Sequence, residues 1–344
     1  MKNKIFLMFT ILFITLTSCS NDDMVYDNFE FQSVYFAYQF PVRTITLGED
    51  VFDTTLDNEH KCRIMATVGG VYSNDKDVSI DVEVANPLTT GLLFKVAGDN
   101  ILPMPSNYYT LLSNKIVIAK GNITGGVDVQ LTDAFFADAN AIKNTYVIPL
   151  KMTNVVNADT ILSGKALVAN PNRAIATDWA TTPKDFIFYA IKYVNPWDGF
   201  YLRRGKDVIV GKNGNTSLNK TITRHKEYVE YDEVFKINTL SLTNIDFPIT
   251  YKDAGGNNIN CKLILSFDGT GNCTVSSSSP GTYTASGTGK FVKRGEKNSW
   301  GSKDRDALYL SYSVGLQDFN VTTNDTLVLR DRGVKAEVFT PVLK

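Results

Sequence analysis

The chain has 344 residues, of which 43% are hydrophobic, 35 are Lys or Arg and 36 are Asp or Glu, and its formal net charge is −1. This balance argues against nucleic-acid binding, which requires a basic surplus. The hydrophobic content is ordinary for a globular protein. The length exceeds what one core usually serves, so two domains are expected.

Residues 1–18 have the parts of a secretory signal peptide. A short basic start is followed by an apolar run over residues 5–16. A bilayer-spanning helix needs about 20 apolar residues, so this run is too short to span a membrane and predicts a cleaved signal. The run ends in Leu16-Thr17-Ser18-Cys19, which resembles a bacterial lipobox. We therefore expect cleavage before Cys19 and attachment of lipid to its thiol.

Residues 19–29 are predicted to form a lipidated tether that precedes the folded part. Asp22 and Asp23 resemble the surface-export signal of Bacteroidetes lipoproteins, although a solvated acidic linker would have the same composition. Two or more acyl chains are enough for stable anchoring. The expected location is the outer membrane, with the protein held by its lipid and facing the cell exterior.

Residues 30–170 alternate between apolar and polar side chains, as half-buried strands do. The clearest strand covers residues 78–84, where Val78, Ile80 and Val82 share one face. Seven or eight such runs, separated by turn residues, predict a two-sheet β-sandwich. Residues 133–141 are predicted to be a short helix that begins at Thr132 or Asp133.

Residues 171–184 interrupt the alternation with two prolines and small polar residues, which is typical of a linker. An aromatic strand over residues 185–194 is expected to open the second domain, residues 185–344. About ten further strands and no long helix favour an antiparallel β-barrel, which removes sheet edges. These strands are predicted at residues 206–210, 219–225, 232–240, 247–251, 259–267, 273–278, 282–292, 307–314, 325–330 and 335–342.

Three cysteines remain after Cys19, namely Cys62, Cys261 and Cys273. An odd number excludes a complete disulfide framework. The expected hairpin separates Cys261 from Cys273 by more than the roughly 7 Å between Cα atoms that a disulfide allows. We expect free, mostly buried thiols. No pair of cysteines or histidines has the spacing of a zinc site, so neither a metal nor a cofactor is predicted.

Several short motifs resemble Bacteroidetes lipoproteins of the polysaccharide-utilisation-locus type. In these, an immunoglobulin-like N-terminal domain of unknown function precedes a lipocalin-like C-terminal domain. The resemblance implies a glycan-binding surface accessory beside a TonB-dependent importer, with a polysaccharide or oligosaccharide as ligand, and supplies no catalytic residue. The motifs are Val34-Tyr35-Phe36-Ala37, Arg43-Thr44-Ile45-Thr46-Leu47-Gly48, Ile191-Lys192-Tyr193-Val194-Asn195, Trp197-Asp198-Gly199-Phe200-Tyr201, Gly287-Thr288-Gly289-Lys290-Phe291-Val292 and Ser299-Trp300-Gly301-Ser302-Lys303-Asp304-Arg305.

Glycan binding needs an aromatic face for the sugar ring and polar groups for its hydroxyls. Two turns offer this combination, and turns often carry binding residues. The candidate ligand-binding residues are Trp197 and Asp198 in the first turn and Trp300, Lys303, Asp304 and Arg305 in the second.

The first of these turns also has a structural interpretation. In a lipocalin-like barrel, a glycine followed by an aromatic residue on the first strand usually plugs the base. Gly199 and Tyr201 fit that role, with Arg330 or Arg332 as a cation–π partner. Trp300 has only polar flanks and is the better candidate for ligand contact.

The sequence favours a non-catalytic protein, because no catalytic motif with the required spacing is present. Glycosidases use two carboxylates roughly 5 to 9.5 Å apart, and residues 225–233 are rich in carboxylates. Clustered charge between strands is nonetheless typical of a solvated turn. Two alternatives stay open: a structural or adhesion module that binds proteins or host surfaces, and a glycan-active enzyme that uses Glu227, Glu230 or Glu233.

Overall fold

The computed structural model describes residues 30–344, so the predicted signal peptide (1–18), the tether (19–29) and Cys19 lie outside the described residues. Within residues 30–344, no helix has the length and apolar character needed to cross a bilayer. Strands dominate, and the all-β prediction of a sandwich followed by a closed antiparallel barrel is confirmed.

The N-terminal domain is built on one twelve-stranded sheet that wraps around a core of alternating apolar side chains. Its long strands are half buried, as their alternation predicts; Val78–Val84, for example, spans the predicted residues. The elements of this domain are β1 (Ser33–Tyr35), β2 (Pro41–Thr46), α1 (Thr55–Asn58), β3 (Lys61–Gly69), β4 (Val78–Val84), β5 (Leu92–Leu93), β6 (Leu102–Pro103), β7 (Tyr109–Leu111), β8 (Lys115–Ile118), β9 (Thr124–Leu131), α2 (Asp133–Ala137), β10 (Tyr146–Val156), β11 (Thr160–Ile161), β12 (Lys165–Ala166), β13 (Trp179–Thr181), β14 (Phe186–Val194) and β24 (Glu337–Val338). The sheet runs in the order β11-β1-β3-β9-β8-β4-β10-β14-β2-β24, with β6 beside β10 and β7 beside β9.

The aromatic strand at residues 185–194 was expected to open the barrel, and the structure corrects this assignment. As β14 it pairs with β10 and, in parallel, with β2 of the N-terminal sheet. Tyr193 faces the main sandwich core, whereas Phe188 faces a second apolar cluster on the other side. Both faces of β14 are therefore covered by apolar side chains. Only its position in the chain, directly after the predicted linker, favours assignment to the barrel. The N-terminal domain extends through Val194.

The C-terminal barrel closes because its first long strand pairs on one side with the last. The closed ring has eight strands. They are β15 (Gly199–Gly211), β17 (Glu233–Thr239), β18 (Asn244–Lys252), β19 (Asn258–Phe267), β20 (Asn272–Ser277), β21 (Thr284–Ser299), β22 (Lys303–Gly315) and β23 (Phe319–Asp331), and β16 (Lys220–Arg224) is a ninth strand of the sheet. β15 pairs with β17 through its first half and with β16 through its second, while β23 runs along its other side.

Short 3₁₀-helices occupy several connections in both domains. The predicted helix at residues 133–141 is split, because α2 ends at Ala137 and a 3₁₀ turn follows it. The linker residues 171–184 also contain a 3₁₀ turn, and β13 pairs with β12 of the first domain. The 3₁₀ segments are Asn86–Thr89, Ala139–Ile142, Ala176–Asp178, Thr216–Leu218, Val229–Tyr231 and Trp300–Ser302.

The chain returns from the barrel to the first domain, which the strand predicted at residues 335–342 did not anticipate. After a turn at Gly333 with φ 67°, β24 pairs with β2 and β25 (Val342–Leu343) pairs with β5. Phe339 packs against Phe40 and Phe94 of the N-terminal domain. Residues 334–344 thus belong to the N-terminal domain, and the two domains are joined by two chain crossings.

The free-thiol prediction is confirmed, since all three cysteines are unpaired and buried. Cys62 lies in the sandwich core, and Cys261 and Cys273 lie in the barrel core. Burial raises the pKa of Cys62 to about 12 and that of Cys273 to about 12, which keeps both thiols protonated and unreactive.

Candidate functional site

The turn that enters the barrel is built into the barrel core. Trp197 stacks face to face on Phe267, with ring centroids 3.9 Å apart. Tyr201 is completely buried and donates a hydrogen bond of 2.8 Å to the main-chain oxygen of Trp197. Both rings are thereby engaged with protein atoms.

Asp198 and Gly199 continue this structural arrangement. The Asp198 carboxylate forms an ion pair with Lys236 and accepts hydrogen bonds from the amide and hydroxyl of Thr239, at 2.6 and 2.8 Å. A Cβ on Gly199 would lie 2.9 Å from the main-chain oxygen of Asp331, so only glycine fits. We therefore leave Trp197 and Asp198 out of the candidate ligand surface.

Arg332 has a different role from the cation–π contact expected of Arg330 or Arg332. Its buried guanidinium donates to four main-chain oxygens: those of Leu47 and Glu49 in the N-terminal domain, each at 3.2 Å, and those of Asn195 and Asp198 at the entry turn, each at 2.6 Å. This one side chain, which directly follows the barrel's last strand, thereby links the barrel to the N-terminal domain by hydrogen bonds. Arg330 is exposed and lies 3.6 Å from Asp331.

A cleft of about 360 Å³ opens beside this junction and contains two of the predicted ligand residues. Residues 49–52 of the N-terminal domain form one wall. Residues 304–306, residues 329–333 and Arg294 of the barrel form the other, and Val334 lies where the chain leaves the barrel. Clefts between domains are common ligand sites, and we call this one the interdomain cleft.

Arg305 is the most informative side chain in the interdomain cleft. Its guanidinium carbon lies 3.3 Å from the centre of the Trp300 ring, and its Nε donates to the Trp300 main-chain oxygen at 3.1 Å. Among the described residues, no carboxylate forms an ion pair with it. Partial burial lowers the pKa of Arg305 from its usual value. An arginine at neutral pH nevertheless keeps its charge, so this site offers a positive, flat donor group that is not neutralised.

Trp300 holds this arginine in place and does not itself line the cleft. Its ring is covered by Arg305, and its Nε1 donates to the main-chain oxygen of Leu329 at 3.3 Å. Trp300 is thus placed to position Arg305, and the direct sugar contact expected of it stays a prediction. Stacking of this kind fixes a guanidinium without using its donor edges.

Of the other two predicted residues of this turn, one lines the interdomain cleft and the other does not. Asp304 lines the cleft, with one oxygen 2.9 Å from Lys297 and the other accepting from the Asn298 amide at 3.1 Å. Lys303 is exposed and lies outside the cleft lining. Asp306, which was not singled out, also lines the cleft and accepts from the amide of Arg294 at 2.7 Å.

The opposite wall was missed by the sequence analysis. Val51 is fully exposed and Phe52 is 38% exposed, and both follow the acidic pair Glu49 and Asp50. Glu49 pairs with Lys293 of the barrel at 2.7 Å, and this pairing lowers its pKa. The sequence signal for this wall is a pair of apolar residues in an acidic turn after a strand. The barrel residues that face it lie about 250 positions later in the chain, so the sequence does not show that the two walls meet.

The carboxylate-rich segment at residues 225–233 is an exposed turn with one structural carboxylate. Asp232 is buried and accepts from Arg204 at 2.6 Å and from the Lys226 amide at 2.9 Å. Glu227 and Glu230 are exposed. Glu233, the third residue considered for the enzyme alternative, begins β17.

Comparison with known proteins identifies the family. A crystal structure of a Bacteroides ovatus protein of unknown function is 48% identical, with a TM-score of 0.87, and the match covers 92% of this chain and 100% of that one. The chain belongs to the same family as this Bacteroides ovatus protein. Within this family, a domain of unknown function (DUF5627) matches residues 196–333, and a model for an N-terminal domain matches residues 26–159.

More distant structures are also similar to the chain. A second Bacteroides ovatus protein of unknown function is 10% identical with a TM-score of 0.40, covering 90% of this chain and 99% of that one. An auxiliary nutrient binding protein from Bacteroides thetaiotaomicron is 14% identical with a TM-score of 0.37, covering 84% and 90%. No curated protein matches the chain. The start of the DUF5627 match at residue 196 agrees with a barrel that begins after β14.

Proposed function

We propose that this protein is a non-catalytic, lipid-anchored surface protein that binds a polysaccharide in the interdomain cleft. The observation that carries the proposal is the Arg305 guanidinium, which lies in a cleft between domains, is fixed by Trp300 and has no carboxylate partner among the described residues. In this proposal the protein holds its ligand near a TonB-dependent importer, which would take up the bound glycan.

The chemistry of the cleft suits a hydroxylated ligand. Arginine donates to sugar hydroxyls, and the carboxylates of Asp304 and Asp306 can accept from them. Phe52 supplies an accessible aromatic face for the apolar side of a sugar ring. Val51 adds apolar surface next to it.

Replacing Arg305 with alanine is expected to weaken polysaccharide binding about tenfold or more. Hydrogen bonds to a charged group contribute about 1.5–3 kcal/mol, and 1.4 kcal/mol corresponds to tenfold in affinity. The measurement is affinity gel electrophoresis of the mature chain against a panel of plant and host polysaccharides. Arg305→Lys should also weaken binding, because lysine keeps the charge but loses the planar donor pair.

The matched control is Arg63→Ala, which removes an exposed arginine on β3 that pairs with Asp128, away from the cleft lining. Its binding should equal that of the wild-type protein. If the wild-type chain is retarded by none of the polysaccharides, the glycan proposal fails. If Arg305→Ala binds as well as wild type, the ligand lies elsewhere.

Replacing Cys19 with alanine is expected to release the protein from the membrane. The lipobox-like sequence predicts that the Cys19 thiol carries the lipid, and no other residue of Leu16-Thr17-Ser18-Cys19 has a thiol. The test separates membrane and soluble fractions of expressing cells and detects surface exposure by protease treatment of intact cells. Cys62→Ala serves as the control. Membrane retention of the Cys19→Ala variant would contradict the anchor.

A further inference from the structure

Two exposed tyrosines lie on the turn between β16 and β17, residues 225–232, which we call the tyrosine turn. Tyr228 is 53% exposed and Tyr231 is 68% exposed. Among residues 199–331, no other Tyr, Phe or Trp side chain is exposed to this extent. Aromatic rings stabilise a fold by being buried, so these two contribute little to the stability of the barrel. They instead give the turn an aromatic surface that a ligand can reach.

The two rings form a perpendicular pair. Their centroids are 5.9 Å apart and their planes make an angle of 85°, which is the edge-to-face arrangement that aromatic rings prefer. In this arrangement each ring keeps at least one face that the other ring does not cover. Because more than half of each residue is exposed, Tyr228 and Tyr231 present open ring faces to solvent.

Hydrogen bonds hold the tyrosine turn in one conformation. The turn is closed by the Tyr231 amide, which donates to the Tyr228 main-chain oxygen at 3.1 Å. The buried Asp232 carboxylate fixes the turn to the barrel, because it accepts from Arg204 of β15 at 2.6 Å and from the Lys226 amide at 2.9 Å. A surface that is already ordered loses less entropy when a ligand binds, which favours binding.

The tyrosine turn also has an acidic surface. Glu227 and Glu230 are exposed, as is Glu233 directly after the turn, whereas Lys226 is the exposed lysine of this segment. Among residues 30–344, these three glutamates form no ion pair. Unpaired carboxylates accept hydrogen bonds from sugar hydroxyls and repel an anionic ligand. The charge of the turn therefore favours a neutral sugar over an acidic one.

We propose that the tyrosine turn is a second carbohydrate contact, which binds a neutral hexopyranose unit of a polysaccharide. The apolar C–H face of the sugar stacks on an open tyrosine ring, and its hydroxyls donate to the neighbouring glutamate carboxylates. No residue of the turn lines the interdomain cleft. This second site therefore rests on different observations from the function proposed for the cleft.

Nitration of tyrosines by tetranitromethane, followed by peptide mass spectrometry of the mature chain, tests the contact. The neutral probes are amylopectin, galactomannan, xyloglucan and yeast mannan, and polygalacturonate is the acidic comparison. At least one neutral polysaccharide, in several-fold excess over its Kd, should slow nitration of Tyr228 and Tyr231 about fivefold, because occupied sites do not react. Polygalacturonate should not slow it. Tyr38, which is 70% exposed in the N-terminal domain, is the internal control and should react at one rate throughout.

The double variant Tyr228→Ala/Tyr231→Ala is expected to bind the protecting polysaccharide about tenfold more weakly in affinity gels, since its aromatic contacts are lost. Its thermal midpoint should stay within about 2 °C of wild type, because both residues are exposed. The matched control is Tyr38→Ala, which removes an exposed tyrosine of the other domain and should bind like wild type.

These measurements separate the tyrosine turn from the interdomain cleft. At saturating polysaccharide, Arg305→Ala should leave the protection of Tyr228 and Tyr231 unchanged. If the double tyrosine variant binds like wild type while Arg305→Ala binds weakly, the turn is not a carbohydrate contact and the function proposed for the cleft is retained. The proposal is also overturned if no neutral polysaccharide protects the tyrosines or if polygalacturonate protects them equally. Protection by choline chloride alone would assign the pair to a quaternary ammonium ion and overturn it too.

Discussion

Arg332→Met is expected to lower the free energy of unfolding by about 4 kcal/mol. The buried guanidinium donates to four main-chain oxygens, two at 2.6 Å and two at 3.2 Å. Methionine fills a similar volume but donates nothing, so these acceptors lose their partner. Each buried group left unsatisfied costs about 1–3 kcal/mol. Some of the four carbonyl oxygens will form hydrogen bonds with water instead, so the expected loss of about 4 kcal/mol is smaller than four full costs. Urea unfolding followed by tryptophan fluorescence measures the loss.

The position of Arg332 explains why a single residue has so large an effect. The four oxygens come from the N-terminal domain and the entry turn, whereas Arg332 follows the last barrel strand. Lysine could not replace it, because a compact ammonium lacks the planar set of donors that reaches four acceptors. Removing it should therefore uncouple the domains as well as destabilise them, and unfolding should separate into two transitions.

The control for Arg332 is Arg330→Met, two residues away. Arg330 is about half exposed and, within residues 30–344, forms an ion pair only with its neighbour Asp331, so this change should alter stability by less than about 0.5 kcal/mol. A loss below about 1 kcal/mol for Arg332→Met, with one transition retained, would contradict the role assigned to this arginine.

Asp325→Asn is expected to cost about 3–5 kcal/mol. Asp325 accepts from both Arg203 and Arg224 and also from the Tyr312 hydroxyl at 3.1 Å. Asparagine has nearly the same shape but no charge, so two buried guanidinium groups would share the single carboxylate of Asp207. Breaking a buried ion pair by removing one partner has a cost of this size, because it leaves a charge uncompensated.

Chemical denaturation of Asp325→Asn measures this loss, with Asp318→Asn as the control. Asp318 is exposed in the turn before β23, so its neutralisation should change stability by less than about 0.5 kcal/mol. An Asp325→Asn variant as stable as wild type would show that the arginines are neutralised in another way.

The positions of individual strands could be predicted from the sequence with good accuracy. Residues 78–84 were expected to form a strand and do so as β4. Residues 259–267 and 273–278 likewise correspond to β19 and β20 within about one residue. These strands have one buried and one exposed face, so the alternation of their side chains records their burial directly.

The partners of those strands could not be predicted in the same way. β14 is buried on both faces, so its pattern carries no information about which sheet it joins. Residues 337–343 pair with β2 and β5, which lie roughly 250 to 300 positions earlier. Such pairing depends on how the barrel directs the chain back toward the first domain.

The candidate binding residues show the same division between local pattern and distant contact. A polar turn around Trp300 could be recognised as a candidate from its composition alone, and residues 1–19 could be recognised as a candidate export signal in the same way. Which group of that turn is available to a ligand depends on the stacking of Arg305 over Trp300, and the second wall depends on Val51 and Phe52. Local alternation and turn chemistry depend on residues that are close in sequence, so they can be predicted from it. A cleft, an unpartnered donor or a buried ion network exists only after distant segments pack together.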